Sequence, residues 1–291
     1  MLQQYNVAAF AKVNLSLDVV RKREDGYHDL KMVMQSIDLC DDIHLEITDT
    51  KKIEISTNLH FLPNNDKNIA YRAAALFYEK TGMEFTGLKI AIEKRIPVGA
   101  GLGGGSADGG AVLKGLCKLY EIEVDGEVLQ QWGLLIGADV PFCIQGGTAL
   151  AEGVGEILSD LPPLADCHIL LVKPPFAIST AWVFSKLDVK SLRNHPNTEG
   201  LIGAICKGDI GGVASRLYNV LETVTAKENK VIPQIKSEMI DLGAMGAAMS
   251  GSGSTVFALF SDENKARRAY ERFKDLYEET FLCRPLKKIM E

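Results

Sequence analysis

Five of the seven residues from Gly99 to Gly105 are glycine, inside the stretch Pro97–Ala107, PVGAGLGGGSA. Such a run resists the interior of any helix or strand, because glycine loses more backbone freedom on ordering than other residues. It suits a loop that a ligand approaches closely, since no Cβ stands in the way. The residues after it, Ala107–Tyr120, carry Ala111, Val112, Gly115 and Leu119 at near-helical spacing and predict a helix. A glycine loop running into a helix start aims several backbone N–H groups at one point. The helix dipole adds about half a positive charge there, so the arrangement favours phosphate. Ser106 adds a hydroxyl donor, or an oxygen for Mg²⁺.

A tight turn between two elements rarely needs so many glycines. A dinucleotide fingerprint is a closer rival: Gly99-Ala100-Gly101-Leu102-Gly103-Gly104 fits G-x-G-x-x-G, and Glu121 and Glu123 lie about 20 residues on. That motif should follow a buried apolar strand directly. Here Glu93-Lys94-Arg95-Ile96-Pro97 intervenes, and a proline cannot donate to a central strand. No G-K-[ST] closes the run, so it is not a P-loop either. A different nucleotide-phosphate loop remains.

At 291 residues the chain suggests two domains, and 46% hydrophobic content allows a sizeable core. The net charge of −6 argues against a nucleic-acid partner, which usually meets a basic face. Six scattered cysteines form no C-x-x-C pair and read as free thiols in a reducing cytoplasm. Neither a leader segment nor a membrane span is expected, so the location predicted is cytoplasmic, with no membrane partner.

Residues 10–20 alternate, with Val13, Leu15, Leu17 and Val19 on one face and Lys12, Asn14, Ser16 and Asp18 on the other, as in a half-buried strand. Further strands are expected at 43–47, 53–55, 88–92, 142–144, 148–151, 169–172, 244–249 and 256–260. Helices are expected at 68–80, 127–136 and 263–277, and mostly helical structure between the strand at 169–172 and about residue 242. The composition shifts near 155–165, where Ser159–Asp166, SDLPPLAD, reads as an exposed connection, which divides the chain into domains 1–155 and 156–291. The fold class is α+β.

Several polar residues have plain alternatives. Lys12 can be a solvated strand lysine; Asn14, two residues on, leaves the same face about 7 Å away. Asp139, in the loop Gly137-Ala138-Asp139-Val140-Pro141, can be a turn residue or cap. Tyr27 and His28 follow the turn at Asp25-Gly26 and can be surface residues. Asn68 suits the N-cap of the helix beginning at Ile69.

Taken together, the motifs resemble the GHMP kinases. Pro97, Val98, Gly99, Ala100, Gly101, Leu102, Gly103, Gly104, Gly105, Ser106 and Ala107 are similar to that family's P-x-x-x-G-L-G-x-x-S-A nucleotide loop. Ala11-Lys12-Val13-Asn14-Leu15 resembles its first motif and Met249–Ser254, MSGSGS, its third. Gly26-Tyr27-His28 and Gly137-Ala138-Asp139-Val140-Pro141-Phe142 narrow the likeness to the branch acting on a cytidyl-diphosphate-linked methylerythritol in the non-mevalonate isoprenoid route. Phe10 and Cys143 depart from the branch's usual proline and aromatic, at positions not expected to touch the reacting atoms.

The resemblance implies a two-domain GHMP kinase fold: an N-terminal domain like ribosomal protein S5 domain 2, a ferredoxin-like C-terminal domain, and a site in the cleft between them. It implies ATP as phosphoryl donor with Mg²⁺, Lys12 and Asp139 as catalytic residues, and Asn68 near the adenine. Asn14, Tyr27, His28, Thr180 and Phe184 are implied substrate-binding residues, the last two on a looser local pattern. Ser106 is a candidate Mg²⁺ ligand, and Asp139 a possible second. A different small alcohol, or a nucleotide-binding module without transfer, stays open, as does a monomer or a homodimer.

Overall fold

The structure, a computed structural model, describes residues 2–288. In chain order the strands are β1 (Gln4–Lys22), β2 (His28–Ile47), β3 (Ile53–Thr57), β4 (Leu88–Glu93), β5 (Thr148–Gly153), β6 (Ile157–Asp160), β7 (His168–Val172), β8 (Tyr218–Asn219), β9 (Gly246–Met249), β10 (Val256–Phe260) and β11 (Thr280–Cys283). The helices are α1 (Ile69–Thr81), α2 (Gly104–Tyr120), α3 (Gly126–Leu134), α4 (Val140–Gln145), α5 (Thr180–Lys186), α6 (Thr198–Cys206), α7 (Ile210–Ala214), α8 (Glu222–Glu228), α9 (Val231–Asp241) and α10 (Glu263–Lys274).

Two compact units are each built from several stretches of chain. The first takes residues 1–11, 39–96 and 103–145; the second takes 12–38, 97–102 and 146–291.

In the first unit β4 lies between β3, parallel to it from Ile53↔Leu88 to Thr57↔Ile92, and the distal part of β2, antiparallel from Asp42↔Glu93 to Ile47↔Leu88. Ile43, Leu45, Leu88, Ile90 and Ile92 are buried at every second position, as a sheet with one packed face requires. Helices α1 and α2 pack together, with Ala70, Ala73 and Phe77 on one and Val112 and Leu116 on the other fully buried. The Asn68 side chain accepts a hydrogen bond from Ala70 N at 3.0 Å and caps α1, which ends at Gly82 in the left-handed region. Glycines on α2 permit its close packing: a Cβ on Gly115 would lie 2.7 Å from Leu45, and one on Gly109 2.7 Å from Ile69.

In the second unit the proximal part of β2 pairs antiparallel with β5, from Leu30↔Gly153 to Gln35↔Thr148, and β1 runs parallel to β8 at Ser16↔Tyr218. A separate antiparallel sheet has the order β11-β7-β10-β9. With α9 before β9 and α10 between β10 and β11, this is the β-α-β-β-α-β arrangement of a ferredoxin-like domain. All residues of β7 and β10 are buried, and exposure resumes at Ser261, just past β10.

Two expectations are corrected. Residues 142–144 belong to helix α4, not a strand; three residues cannot establish a period, and Val140, Pro141, Phe142 and Ile144 are buried all round a short helix against α2 and α3. The expected connection starts two residues later than its motif, because Ser159 and Asp160 end β6, the return strand of a hairpin with β5; the turn is fixed by Gly155 N donating to Glu152 O and Val154 N to Glu156 Oε2. The long β2 extends far upstream of the expected 43–47, because its unbroken burial at 32–37 hides the alternation.

Candidate active site

The glycine stretch owes its pattern to backbone conformation. Gly99, Gly101 and Gly103 all have φ between 64° and 77°, in the left-handed region, while the intervening Ala100 and Leu102 are buried anchors. At Gly101 even space is lacking: a Cβ would stand 2.0 Å from Ser250 O. Among the described residues no side chain caps α2, which begins at Gly104, so its first-turn N–H groups are available to an anion.

Within the second unit the first and third motifs meet at this loop. The buried Lys12 Nζ donates to Asn14 Oδ1 at 2.7 Å and to Gly101 O at 2.9 Å. Strand spacing separates the Cα atoms of Lys12 and Asn14, yet the long lysine stem brings the two polar ends together. Lys12 N donates to Leu102 O at 3.0 Å, and Thr255 N to Ala100 O at 3.2 Å. Ser250 Oγ donates to Gly101 O at 2.9 Å and accepts from Asn14 N at 3.3 Å. Loop Ser250–Ser254 is itself held by Asn219, whose Nδ2 donates to Met249 O and Gly251 O at 2.8 and 2.7 Å. Asn219 escaped the sequence reading, since a lone asparagine outside a motif carries no signal.

The same unit joins Thr180 to Ser252, hydroxyl to hydroxyl, at 2.8 Å, and stacks His28 against Phe184 with ring centroids 4.9 Å apart and a 31° tilt. His28 is buried and its Nε2 has no hydrogen-bond partner among the described residues. Burial, and then the nearby Lys22 ammonium, lower its pKa below the usual 6.5, so the ring is neutral at neutral pH. It therefore offers a flat apolar partner and one unused ring nitrogen. Tyr27, its neighbour, is 65% exposed and takes no part in that ring pair.

In the first unit Ser106 sits half-buried in the first turn of α2. The turn carrying Asp139 lies beside it: a Cβ on Gly137 would come 3.9 Å from Ser106 Oγ. Asp139 is half-buried, and its carbonyl accepts from Cys143 N at 3.1 Å, which starts α4. Asn68 is engaged at both polar ends, as the α1 cap and as a donor from Nδ2 to Pro63 O at 2.9 Å. No group of three or more His, Cys, Asp or Glu side chains among the described residues is arranged to hold a metal ion. That donor set fits Mg²⁺ only as a companion of nucleotide phosphate, with a hydroxyl such as that of Ser106 as a protein ligand.

One further cluster was not anticipated. Lys94 Nζ lies 2.5 Å from Asp41 Oδ2 and 2.6 Å from Asp108 Oδ2, with all three side chains almost fully buried. Burial is the main reason the Asp108 carboxyl is pushed up to about 7, Lys94 opposing the shift.

Residues 68–147 match the GHMP kinases N terminal domain and residues 201–279 the GHMP kinases C terminal domain. A 4-diphosphocytidyl-2-C-methyl-D-erythritol kinase of Acetivibrio thermocellus is 46% identical over 98% of this chain and 100% of its own. One of Clostridium perfringens is 46% identical over 92% of this chain and 93% of its own. The crystal structure of a 4-(cytidine 5'-diphospho)-2C-methyl-D-erythritol kinase superposes with a TM-score of 0.82 at 33% identity, covering 97% of this chain and 99% of the other.

Proposed function

The chain belongs to the GHMP kinases and, within them, to the family of 4-diphosphocytidyl-2-C-methyl-D-erythritol kinases, and on that premise we propose that it transfers the γ-phosphoryl group of ATP to the 2-hydroxyl of this cytidyl alcohol. It is a kinase with the two-domain, mixed α+β GHMP fold, acting on a small molecule in isoprenoid precursor synthesis. The observation that carries the substrate is near full-length identity to kinases named for it. The His28–Phe184 pair supports the cytidyl part, a planar ring beside a neutral nitrogen able to read a base edge.

In this reading Asp139 accepts the proton of the 2-hydroxyl as its oxygen attacks the γ-phosphorus. The bond to the bridging oxygen breaks, and ADP leaves with the electron pair. Phosphoryl transfer is loose, so positioning and charge stabilisation dominate. Lys12 supplies positive charge at the transferring group, held in place by Asn14 and Gly101 O. The glycine loop and the N-terminus of α2 hold the phosphates. Mg²⁺ arriving with ATP would be held by the Ser106 hydroxyl together with nucleotide and solvent, and would neutralise phosphate charge. Asn14 and Thr180 orient the alcohol, Tyr27 and Phe184 flank the base, and Asn68 lies toward the adenine.

The reading carries with it family domains at 1–155 and 156–291, a cytoplasmic location, a monomer or homodimer, and no nucleic-acid partner. No described helix is long and apolar enough to cross a membrane. A coupled assay of ADP release, with the cytidyl alcohol against mevalonate and homoserine, with and without Mg²⁺, tests the function. Metal-dependent turnover of the cytidyl alcohol alone is expected; preference for another alcohol would refute the substrate.

A further inference from the structure

The buried ions of the first unit occupy a particular place in the chain. In the proposed nucleotide loop, Pro97–Ala107, residues 97–103 form the turn ahead of α2; Lys94, Arg95 and Ile96 are the stem leading into that turn, and Gly104–Asp108, the start of α2, the stem leaving it. Asp41, on β2, binds the first stem three times. Its Oδ2 accepts from Lys94 Nζ, and its Oδ1 accepts from the backbone N–H of Arg95 and of Ile96, at 2.5 and 2.8 Å. Lys94 crosses to the second stem through Asp108 at 2.6 Å. The stems also touch directly: a Cβ on Gly104 would lie 3.0 Å from Ile96 and 3.5 Å from Lys94 Nζ. Asn58 completes the hold on the first stem, accepting from Lys94 N at 2.9 Å and donating to Lys94 O at 3.1 Å.

Burying two carboxylates around one ammonium seldom stabilises a fold as well as apolar side chains of the same volume, because desolvation offsets most of the attraction. What such a cluster supplies is fixed geometry, since every partner is directional. We propose that Asp41, Lys94 and Asp108 form a clamp that fixes the spacing of the two stems of the nucleotide loop, making Asp41 and Asp108 positioning residues for ATP. In this inference the clamp acts through the stems of the loop and not on the reacting atoms. It sets the path along which loop N–H groups converge, and a displacement of about 1 Å there is enough to matter. This inference rests on the ATP-binding reading of that loop.

The test uses Asp41→Asn and Asp108→Asn in the full chain. An asparagine at 41 still accepts from the Arg95 and Ile96 N–H groups but turns a donor toward Lys94, breaking only the bond between Asp41 and the Lys94 ammonium. Affinity for a non-hydrolysable ATP analogue is measured by calorimetry well below each variant's Tm, together with KM for both substrates and kcat. Asp41→Asn should weaken nucleotide affinity about tenfold and raise KM for ATP in step, with KM for the cytidyl alcohol held within about twofold. Asp108→Asn, which weakens the crossing itself, should show the same split and covers the case in which Asp41→Asn does not fold. A lowered Tm with unchanged nucleotide affinity would reduce the cluster to a structural role and overturn the inference. Equal rises in both KM values would overturn it as well. A wild-type chain that binds no nucleotide would overturn the reading beneath it, a failure distinct from unaffected variants in a chain that binds.

Discussion

Two buried lysines behave differently in this molecule. Lys12 is 3% exposed and donates to an amide oxygen and a carbonyl, Asn14 Oδ1 and Gly101 O. Lys94 is 8% exposed and donates to two carboxylates. These two acceptors of Lys12 are neutral groups that aim the ammonium. Lys94 is instead held between two carboxyl groups that answer its charge, which leaves nothing for a phosphate. Burial alone therefore does not separate the lysine proposed for chemistry from the one proposed for position; what each side chain ties together does. The same contrast extends to surroundings: Lys12 sits among loops of glycine and serine, where Cβ atoms are excluded, whereas Lys94 ties together the stems of a loop.

The largest effect that would break this contrast is at the reacting atoms. Asp139→Asn should lower turnover by about 10²–10⁴-fold or more while an ATP analogue binds within a few-fold of wild type, read by steady-state rates and calorimetry. Rates within a few-fold of wild type would remove Asp139 from the chemistry. Next comes Gly101→Ala, which puts a Cβ 2.0 Å from Ser250 O at a φ of 77°. The loops must separate, and kcat/KM should fall on the order of 100-fold in the same assay. A variant of nearly full activity would mean that the contact between Gly101 and Ser250 does not set the site.

Smaller effects sharpen the substrate side. Tyr27→Ala combined with Phe184→Ala should raise KM for the cytidyl alcohol by about 10–100-fold, with KM for ATP little changed, since stacking on a base contributes about 1–3 kcal/mol. Equal changes in both would move the pair out of the substrate pocket. The mildest effect is that of pH on His28. Its pKa is depressed by burial and Lys22, so the neutral ring persists down to below pH 6.5 and protonates only beneath that. KM for the cytidyl alcohol should stay flat from neutral pH to about 6.5 and rise below it, a rise that His28→Asn abolishes. A KM that already climbs between pH 8 and 7 would contradict a neutral His28.

Local patterns made much of this legible. Alternation placed the strand bearing Lys12, the asparagine before Ile69 marked the α1 cap, and the glycines at 99, 101 and 103 foretold a backbone that only glycine adopts easily. The β7–β11 sheet emerged less completely, because Thr280–Cys283 is a short strand whose partner, β7, lies far away in sequence. Asp41 was not legible at all. It stands in an ordinary acidic pair on a strand, and its role depends on Lys94 and Asp108, some 53 and 67 residues away, which no period or motif connects to it. Lys94 was visible only as an obstacle to a dinucleotide fingerprint; the reason a charged stem precedes the loop became plain once its partners were found.

The contrast between the two lysines comes down to one paired measurement: single-turnover transfer at saturating ATP, alongside nucleotide affinity, in Lys12→Ala and in Asp41→Asn. Lys12→Ala should lose transfer by two orders of magnitude or more, roughly the scale of a lost transition-state charge, while affinity changes by a few-fold. Asp41→Asn should lose affinity and keep most of the transfer rate once ATP saturates. If Lys12→Ala instead transfers phosphate at near wild-type rate, or the two variants fail in the same way, the assignment of one lysine to chemistry and the other to position is wrong.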